Sequence, residues 1–153
     1  MPIIKTSRSC VYMEADAYIL VHNNSQRDFL LRRVFSQAGP QLREAYDNSG
    51  IMPYGDPVIT PGFGLKANYV IHTVGPVWID GNHDEEMLLR SCYENSLSLA
   101  IQNGCQSIAF PLISTGNYGF PKDKALQIAI SAFSAFLLEH EMQIYLVVFD
   151  RTS

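Results

Sequence analysis

The sequence lacks the features expected of membrane proteins, disulfide-rich secreted proteins and zinc proteins. Its 153 residues contain no apolar run of about 18 residues, the length that a membrane-spanning helix requires. Its three cysteines, Cys10, Cys92 and Cys105, form no CxxC pair and argue against a disulfide framework or a zinc site. We expect buried thiols instead. Because the first ten residues lack the apolar core of a signal peptide, we expect a cytoplasmic protein with no membrane partner.

Charge is also scarce in this chain. Charged residues make up 17% of the sequence, and the formal net charge is −4. A domain that binds duplex nucleic acid through its phosphates is usually basic, so we expect no extended nucleic-acid interface. A small anionic ligand remains compatible with this charge, because backbone N–H groups at the start of a helix can hold a phosphate without a lysine.

The chain does contain short apolar segments that alternate with amphipathic ones. Runs with many β-branched residues and few polar ones are typical of strands buried on both faces, whereas apolar residues spaced three and four apart predict helices. The predicted strands are Ala17–His22, Asn68–Val74, Ser107–Ile113 and Gln143–Phe149, with an edge strand at Val58–Thr60. The predicted helices are Arg27–Gly39, Asp84–Gly104 and Lys122–His140, with a second short helix through Gln41–Tyr46.

This alternation predicts an α/β fold, a three-layer α/β/α sandwich. The length fits one domain spanning residues 1–153, with no repeat or linker. In such sheets, ligands bind beyond the carboxyl ends of the strands. The most informative segment therefore follows the strand that begins at Ser107.

That segment is a loop rich in small and hydrogen-bonding residues, followed by a helix. Glycines let backbone N–H groups approach a ligand closely, and the helix start favours an anion. These features favour a phosphate or diphosphate cradle, although an ordinary strand-to-helix turn has the same composition, and spacing alone does not separate the two. The candidate ligand-binding residues are Ser114, Thr115, Gly116, Asn117, Tyr118, Gly119 and Phe120, of which Tyr118 and Phe120 would form the wall.

Several motifs together give this chain a resemblance to a known family. They are YVIHTVGPVW (Tyr69–Trp78), CYENSLSLA (Cys92–Ala100), SIAFPLISTGNYGFP (Ser107–Pro121) and VVFD (Val147–Asp150). In order and separation they resemble the macro domain family from about Gly62 to Asp150.

The resemblance implies a sandwich with a central mixed sheet and a cleft for ADP-ribose or a related ADP-ribosyl ligand. Family members bind free ADP-ribose or ADP-ribosylated proteins, and some hydrolyse O-acetyl-ADP-ribose or remove mono-ADP-ribose. By the same resemblance, Ser114–Phe120 would be the second diphosphate loop, and Phe149 and Asp150 would lie near the adenine-side ribose. We expect neither a cofactor nor a metal ion. The family usually has a further helix after the last strand, and this sequence ends at Ser153, directly after the last predicted strand.

The first half departs from the family pattern. Counting along the chain places Ser9 where the family has an adenine-binding aspartate. Of the family's Asn-Ala-Ala-Asn, only the last asparagine remains, as Asn23. The glycine run that would hold the diphosphate becomes Gln26–Arg33, and Leu31 falls at the position of the active-site aspartate. Side chains in that segment would crowd the cleft, and its arginines either grip a phosphate or lie on a solvated helix face.

Two histidines and one acidic loop complete the candidate residues. His22 lies at a strand end beside Asn23, and with an ordinary pKa it would act as a general base near neutral pH, so it is a candidate catalytic residue. The resemblance implies Asn23 as the other, because the family's last asparagine is usually assigned to the ribose and to catalysis. His72 lies within a strand, where we expect a packed, hydrogen-bonded histidine. The spacing of Asp80, His83, Asp84 and Glu85 matches no known metal site, and we expect a solvated loop there.

Three functions follow from this pattern. The first is a divergent macro domain that binds ADP-ribose or a related nucleotide through Ser114–Phe120, with catalysis weak or lost. The second is an ADP-ribosyl hydrolase or O-acetyl-ADP-ribose deacetylase with a rebuilt first loop. The third is a degenerate interaction domain. The lost glycines and aspartates disfavour the enzyme, and the retained second loop favours binding.

Overall fold

A computed structural model describes residues 3–6, 14–22, 29–48, 56–114 and 119–147, with the side chains of residues 29–33 excepted. Within these ranges, six strands and four helices alternate in the manner that the sequence predicts. In chain order they are β1 (Ile3–Thr6), β2 (Ala17–His22), α1 (Phe29–Ala38), α2 (Pro40–Asp47), β3 (Val58–Pro61), β4 (Tyr69–Val74), α3 (Glu85–Gln102), β5 (Ser107–Pro111), α4 (Lys122–Leu137) and β6 (Gln143–Val147).

The strands form one mixed sheet in the order β1-β6-β5-β2-β4-β3. All neighbouring strands are parallel except β3, which runs antiparallel to β4 at one edge. The mixed sheet and the edge strand at Val58 are therefore confirmed. β1 was not predicted, because four residues at a sheet edge, two of them exposed, leave a weak periodic signal.

Helices cover both faces of this sheet, which confirms the α/β/α sandwich. Alternate residues of β2 point to opposite faces. Ile19 packs in a large core with α3 and α4, whereas Leu20 packs in a smaller core with α1 and α2. The residues of β5 from Ile108 to Pro111 are all buried, as expected for a central parallel strand.

The cysteines and helix ends also follow the predicted pattern in the described ranges. Cys92 and Cys105 are buried free thiols, and Cys92 donates a hydrogen bond to the Val74 carbonyl at 3.2 Å. Gly39, with φ of 93°, separates α1 from α2. Cys10 lies outside the described residues. Among the described helices, none is both long and apolar enough to cross a membrane.

Candidate functional site

The candidate site lies at the carboxyl edge of the three central strands. β2 lies between β5 and β4, and the three strands are parallel. Their last residues are His22, Pro111 and Val74, so the loops that follow them start at the same edge of the sheet. This is where parallel α/β sheets bind ligands.

The loops after β4 and β5 meet closely at Gly75 and Ser114. A Cβ atom on Gly75 would lie 2.4 Å from Ser114 Oγ and 2.7 Å from Ile113 Cγ2. Real Cβ atoms essentially never approach heavy atoms so closely, so glycine is needed for this contact. The described parts of the two loops are therefore in direct contact.

Ser114 adopts a conformation that is unusual for a residue with a side chain. Its φ is 68°, in the left-handed region, and it is only 8% exposed. Its hydroxyl is buried and has no hydrogen-bond partner within the described part of the chain. A buried hydroxyl without a partner costs free energy, and such strained, unsatisfied groups cluster at functional sites. Ser114 therefore combines a strained backbone with an unsatisfied buried hydroxyl at the carboxyl edge of the sheet.

Two hydrogen bonds hold the ends of the loop that contains Ser114. The Ile113 N–H donates to the Tyr93 hydroxyl oxygen at 3.0 Å, and the Phe120 N–H donates to the Ser114 carbonyl at 2.8 Å. Burial raises the pKa of Tyr93, so its phenol stays protonated. Gly119, with φ of 73°, supplies the turn before Phe120. The loop thus starts and ends at fixed points of the core.

The side chain of Phe120 lies in the core, whereas the sequence predicts it at the wall of the pocket. Its side chain is 2% exposed, belongs to the larger core and packs edge-on against Trp78 with ring centroids 4.9 Å apart. Since its N–H bonds to the Ser114 carbonyl, that donor is already used. Phe120 anchors the loop to the core, and its contact with a ligand stays a prediction.

Residues 79–84 form an exposed loop, as predicted, but Glu85 at its end is buried and organises the loop. Glu85 is 1% exposed and accepts hydrogen bonds from four backbone N–H groups at 2.6–3.1 Å. Burial alone would raise its pKa, but these four donors lower it to about 2. The donors belong to Ile79, Asp80, Gly81 and His83.

The side chains of Asp80, His83 and Glu85 lie near enough for metal ligands, since one ligand atom from each falls within 4.8 Å of the others. However, Asp80 Oδ1 already accepts bonds from the Asn82 N–H at 2.8 Å and from His83 Nδ1 at 2.9 Å. Both Glu85 oxygens accept backbone N–H groups. The cluster is fully accounted for as a hydrogen-bonded turn, and we assign no metal to it.

A second buried polar group lies on the opposite face of the sheet, below the end of β2. His22 Nε2 lies 2.8 Å from His72 Nδ1, and His72 Nε2 lies 2.9 Å from Thr60 Oγ1. Tyr46 of α2 stacks on His22 with ring centroids 3.9 Å apart and planes 8° apart. The prediction that His72 is packed and hydrogen-bonded is confirmed.

The expectation of an ordinary pKa at His22 is wrong. His22 is only 6% exposed. Burial, the neighbouring His72 and the positive charge of Arg43 lower its pKa to about 3. Burial also lowers the pKa of His72 to about 4. At neutral pH, His22 is therefore an uncharged and very weak base, and it is poorly suited to abstract a proton.

Several predicted residues lie outside the part of the chain that the structure describes. They are Asn23, Thr115, Gly116, Asn117, Tyr118, Phe149 and Asp150, together with the side chains of Arg27, Phe29, Leu30 and Leu31. Their roles stay predictions. The structure brings Ser114, Gly119 and Phe120 into one loop, and it places His22 at the end of the neighbouring strand β2.

Sequence reasoning missed Gly75, Tyr93 and Tyr46 as parts of this region, and it named Glu85 only as part of a solvated loop. Gly75 had a usable signal, because a Gly-Pro pair directly after an apolar strand indicates a sharp turn at the ligand-binding edge. Tyr93 gave no such signal in the sequence beyond its position among the apolar residues of a predicted helix. Its hydrogen bond to Ile113 depends on how α3 packs against β5, which local sequence does not encode.

Comparison with known proteins identifies one family. The Macro domain family model matches residues 32–129. An O-acetyl-ADP-ribose deacetylase of Escherichia fergusonii is 51% identical over 119 residues, which cover 74% of this chain and 67% of the relative. A macro domain-containing protein of Chlorobaculum tepidum is 53% identical over 102 residues. These residues cover 67% of this chain and 59% of that relative. The chain thus spans only part of these relatives.

Solved structures give the same result. The Oceanobacillus iheyensis macrodomain with ADP superposes with a TM-score of 0.86 at 32% identity, covering 95% of this chain and 82% of that one. A mutant of the same macrodomain has been solved with ADPR.

Proposed function

Because the chain belongs to the macro domain family, we propose that it binds ADP-ribose or a related ADP-ribosyl ligand through the loop Ser114–Phe120. The observation on which the proposal rests is the buried Ser114 hydroxyl, which has no partner among the described residues and meets Gly75 at the carboxyl edge of the sheet. The binding of ADP and ADPR by a macrodomain of similar structure supports the choice of ligand.

The chemistry of a diphosphate suits this loop. A diphosphate is an anion that only accepts hydrogen bonds at neutral pH, so it requires hydroxyl and N–H donors. Ser114 Oγ is such a donor, and α4, which starts at Lys122, adds the partial positive charge of its N-terminus. Local donors of this kind suffice even though the formal net charge of the chain is −4.

The ligand in this proposal is free ADP-ribose or ADP-ribose attached to a protein. An ADP-ribosylated protein is accordingly the proposed partner, and the cytoplasm is the proposed location. Thr115, Gly116, Asn117, Tyr118 and Gly119 complete the diphosphate loop, whereas Phe149 and Asp150 contact the adenine-side ribose in this proposal.

Replacing Ser114 with alanine is expected to weaken ADP-ribose binding by about 10- to 100-fold. A hydrogen bond to a charged group contributes about 1.5–3 kcal/mol. Stability should be unchanged or slightly higher, because the variant removes a buried hydroxyl that has no partner in the described structure. Isothermal titration calorimetry measures the affinity, and thermal unfolding measures the stability.

Ser96→Ala is the matched control. Ser96 lies in α3, and its hydroxyl is also buried with no partner in the ranges that the structure describes. Both variants therefore remove the same kind of group, but only Ser114 lies at the proposed site. Equal affinities of the two variants would contradict the assignment of Ser114.

Deacetylation of O-acetyl-ADP-ribose is a second candidate function. The 51% identity to a protein named O-acetyl-ADP-ribose deacetylase favours it. The lowered pKa of His22 opposes a mechanism in which His22 is the base. A hydrolase would therefore depend on another group, with Asn23 as the remaining candidate. Turnover assays with O-acetyl-ADP-ribose and with a mono-ADP-ribosylated protein separate a hydrolase from a binding module.

A further inference from the structure

Glu85 is the one buried acidic side chain in the part of the chain that the structure describes. Its Oε2 atom accepts the N–H groups of Ile79, Asp80 and Gly81 at 2.9–3.1 Å, and its Oε1 atom accepts the N–H of His83 at 2.6 Å. Burial opposes ionisation, but these donors lower the pKa of Glu85 to about 2, so the carboxylate is charged at neutral pH. Hydrogen bonds to a charged acceptor are strong, and Glu85 therefore fixes the path of the turn before α3.

The turn that Glu85 holds packs against the indole ring of Trp78. A Cβ atom on Gly81 would lie 2.9 Å from Trp78 Cη2 and 3.4 Å from Trp78 Cζ2, so the Gly81 backbone lies directly against the ring. The φ of Gly81 is 87°, in the left-handed region that favours glycine. Because the Gly81 N–H is bonded to Glu85 Oε2 at 2.9 Å, the carboxylate determines where the surface beneath Trp78 lies.

Trp78 in turn contacts the loop that is proposed to bind the ligand. Its ring lies edge-on against the ring of Phe120, with centroids 4.9 Å apart and planes 60° apart. Phe120 is 2% exposed, and its N–H donates to the Ser114 carbonyl at 2.8 Å. A close-packed interior has few voids that could absorb a displacement, so neighbouring groups move together. The contacts are therefore continuous from Glu85 to Ser114.

We propose that Glu85 is a positioning residue for ADP-ribose binding, which acts through Trp78 and Phe120 on the orientation of Ser114. The inference rests on the proposed function. Glu85 does not touch the ligand itself, because it is 1% exposed and both of its oxygens already accept backbone N–H groups. Ser114 needs such support, since its left-handed φ of 68° is a strained conformation that persists only when the surrounding structure imposes it.

A purely structural role of Glu85 is the alternative. Glu85 lies in the first turn of α3, where a negative charge also stabilises the helix through its dipole. Such a role predicts that substitutions of Glu85 lower the stability of the fold and leave the affinity of the folded protein unchanged. The two roles therefore differ in affinity and in how Glu85 and Ser114 depend on each other.

Replacing Glu85 with glutamine is expected to weaken ADP-ribose binding by about 5- to 20-fold, because a small misplacement of Ser114 costs part of its hydrogen bond to the ligand. Glutamine keeps the size of the side chain, but its NH₂ group puts a donor where one carboxylate oxygen accepted a backbone N–H, so the turn loosens. Isothermal titration calorimetry measures the affinity. An affinity of Glu85→Gln equal to that of the wild type would overturn the inference.

Asp16→Asn is the matched control. Asp16 is also a carboxylate that holds a loop, since its Oδ2 atom accepts the Gln106 N–H at 2.7 Å. Asp16 precedes β2 and Gln106 precedes β5, so this bond lies at the amino edge of the sheet, opposite the proposed site. The variant should lose stability and bind ADP-ribose within about twofold of the wild type, as expected for a distant, independent position.

A double-mutant cycle tests whether Glu85 acts through Ser114. In the Ser114→Ala background the group that Glu85 positions is absent, so Glu85→Gln should weaken binding further by only about twofold or less. If Glu85→Gln weakens binding by the same factor in both backgrounds, Glu85 does not act through Ser114 and the inference is wrong. Should Glu85→Gln fail to fold, Trp78→Phe, which withdraws the ring from Gly81, replaces it in the same cycle with the same expected results.

The first step of the inference can be tested without a ligand. Trp78 is the sole tryptophan of the sequence, so tryptophan fluorescence reports on its surroundings alone. Emission should shift to longer wavelength in Glu85→Gln, because a looser turn exposes the indole, and should stay as in the wild type in Asp16→Asn. Unchanged emission in Glu85→Gln would overturn the inference. If the wild type does not bind ADP-ribose, the proposed function fails, whereas the emission still shows whether Glu85 positions Trp78.

Discussion

Replacing Gly75 with alanine is expected to weaken ADP-ribose binding by about 100-fold. The new Cβ would lie 2.4 Å from Ser114 Oγ and 2.7 Å from Ile113 Cγ2, so the loop after β5 must move by about 1 Å to restore ordinary contact. A displacement of that size is enough to break several directional contacts at once. Calorimetric titration of the variant with ADP-ribose measures the loss.

Gly104→Ala is the control for the general effect of adding a methyl group. Gly104 follows α3 at the opposite edge of the sheet, and its added Cβ would meet no atom within 4 Å. Its φ of 74° makes alanine unfavourable by about 1–2 kcal/mol, so stability falls and affinity does not. If both variants bound ADP-ribose as tightly as the wild type, the close contact between Gly75 and Ser114 would not contribute to binding.

Lowering the pH from 7 to 5 is expected to destabilise the fold by about 2 kcal/mol for each of His22 and His72. In the folded protein, burial is the first cause that lowers the pKa of His22 from 6.5 to about 3 and the pKa of His72 from 6.5 to about 4. Between those values and 6.5, the unfolded chain binds more protons than the folded one. Stability is therefore complete above about pH 6.5 and decreases as the pH falls towards the folded pKa values.

Urea unfolding at several pH values measures this loss, and two variants identify its source. His22→Gln removes one of the two groups and should reduce the loss by about half. His83→Gln should leave the loss in place, because His83 is exposed and its pKa is raised by its hydrogen bond to Asp80. Glu85 loses its charge only at lower pH, since its pKa is lowered to about 2. Equal stability at pH 5 and 7 would contradict the buried imidazole pair.

The elements that sequence predicted correctly are those whose pattern is local. β5 is apolar along its length because it is buried on both faces, and α4 has Ala125, Ala129 and Phe133 at helical spacing against the sheet. Such periodicities are visible in one sequence. Even the position of the candidate loop followed from local order, because it comes directly after a central strand.

The features that sequence did not predict depend on contacts between distant segments. The pKa of His22 depends on burial beneath α1 and α2 and on His72. Glu85 has the pattern of an exposed helix start, but it is buried because the preceding turn folds its N–H groups onto the carboxylate. Phe120 looked like a pocket wall because an aromatic residue beside glycines gives no indication of the direction in which its ring points.

Calorimetric titration of the wild-type protein with ADP-ribose tests the central claim most directly. The account predicts saturable binding with a Kd in the micromolar range, about −8 kcal/mol. Two findings make such an affinity the expected one. The chain belongs to the macro domain family, and the buried hydroxyl of Ser114, a hydrogen-bond donor, lies beside Gly75. No detectable binding at millimolar ADP-ribose would contradict it and would leave this domain as an interaction surface without a nucleotide ligand.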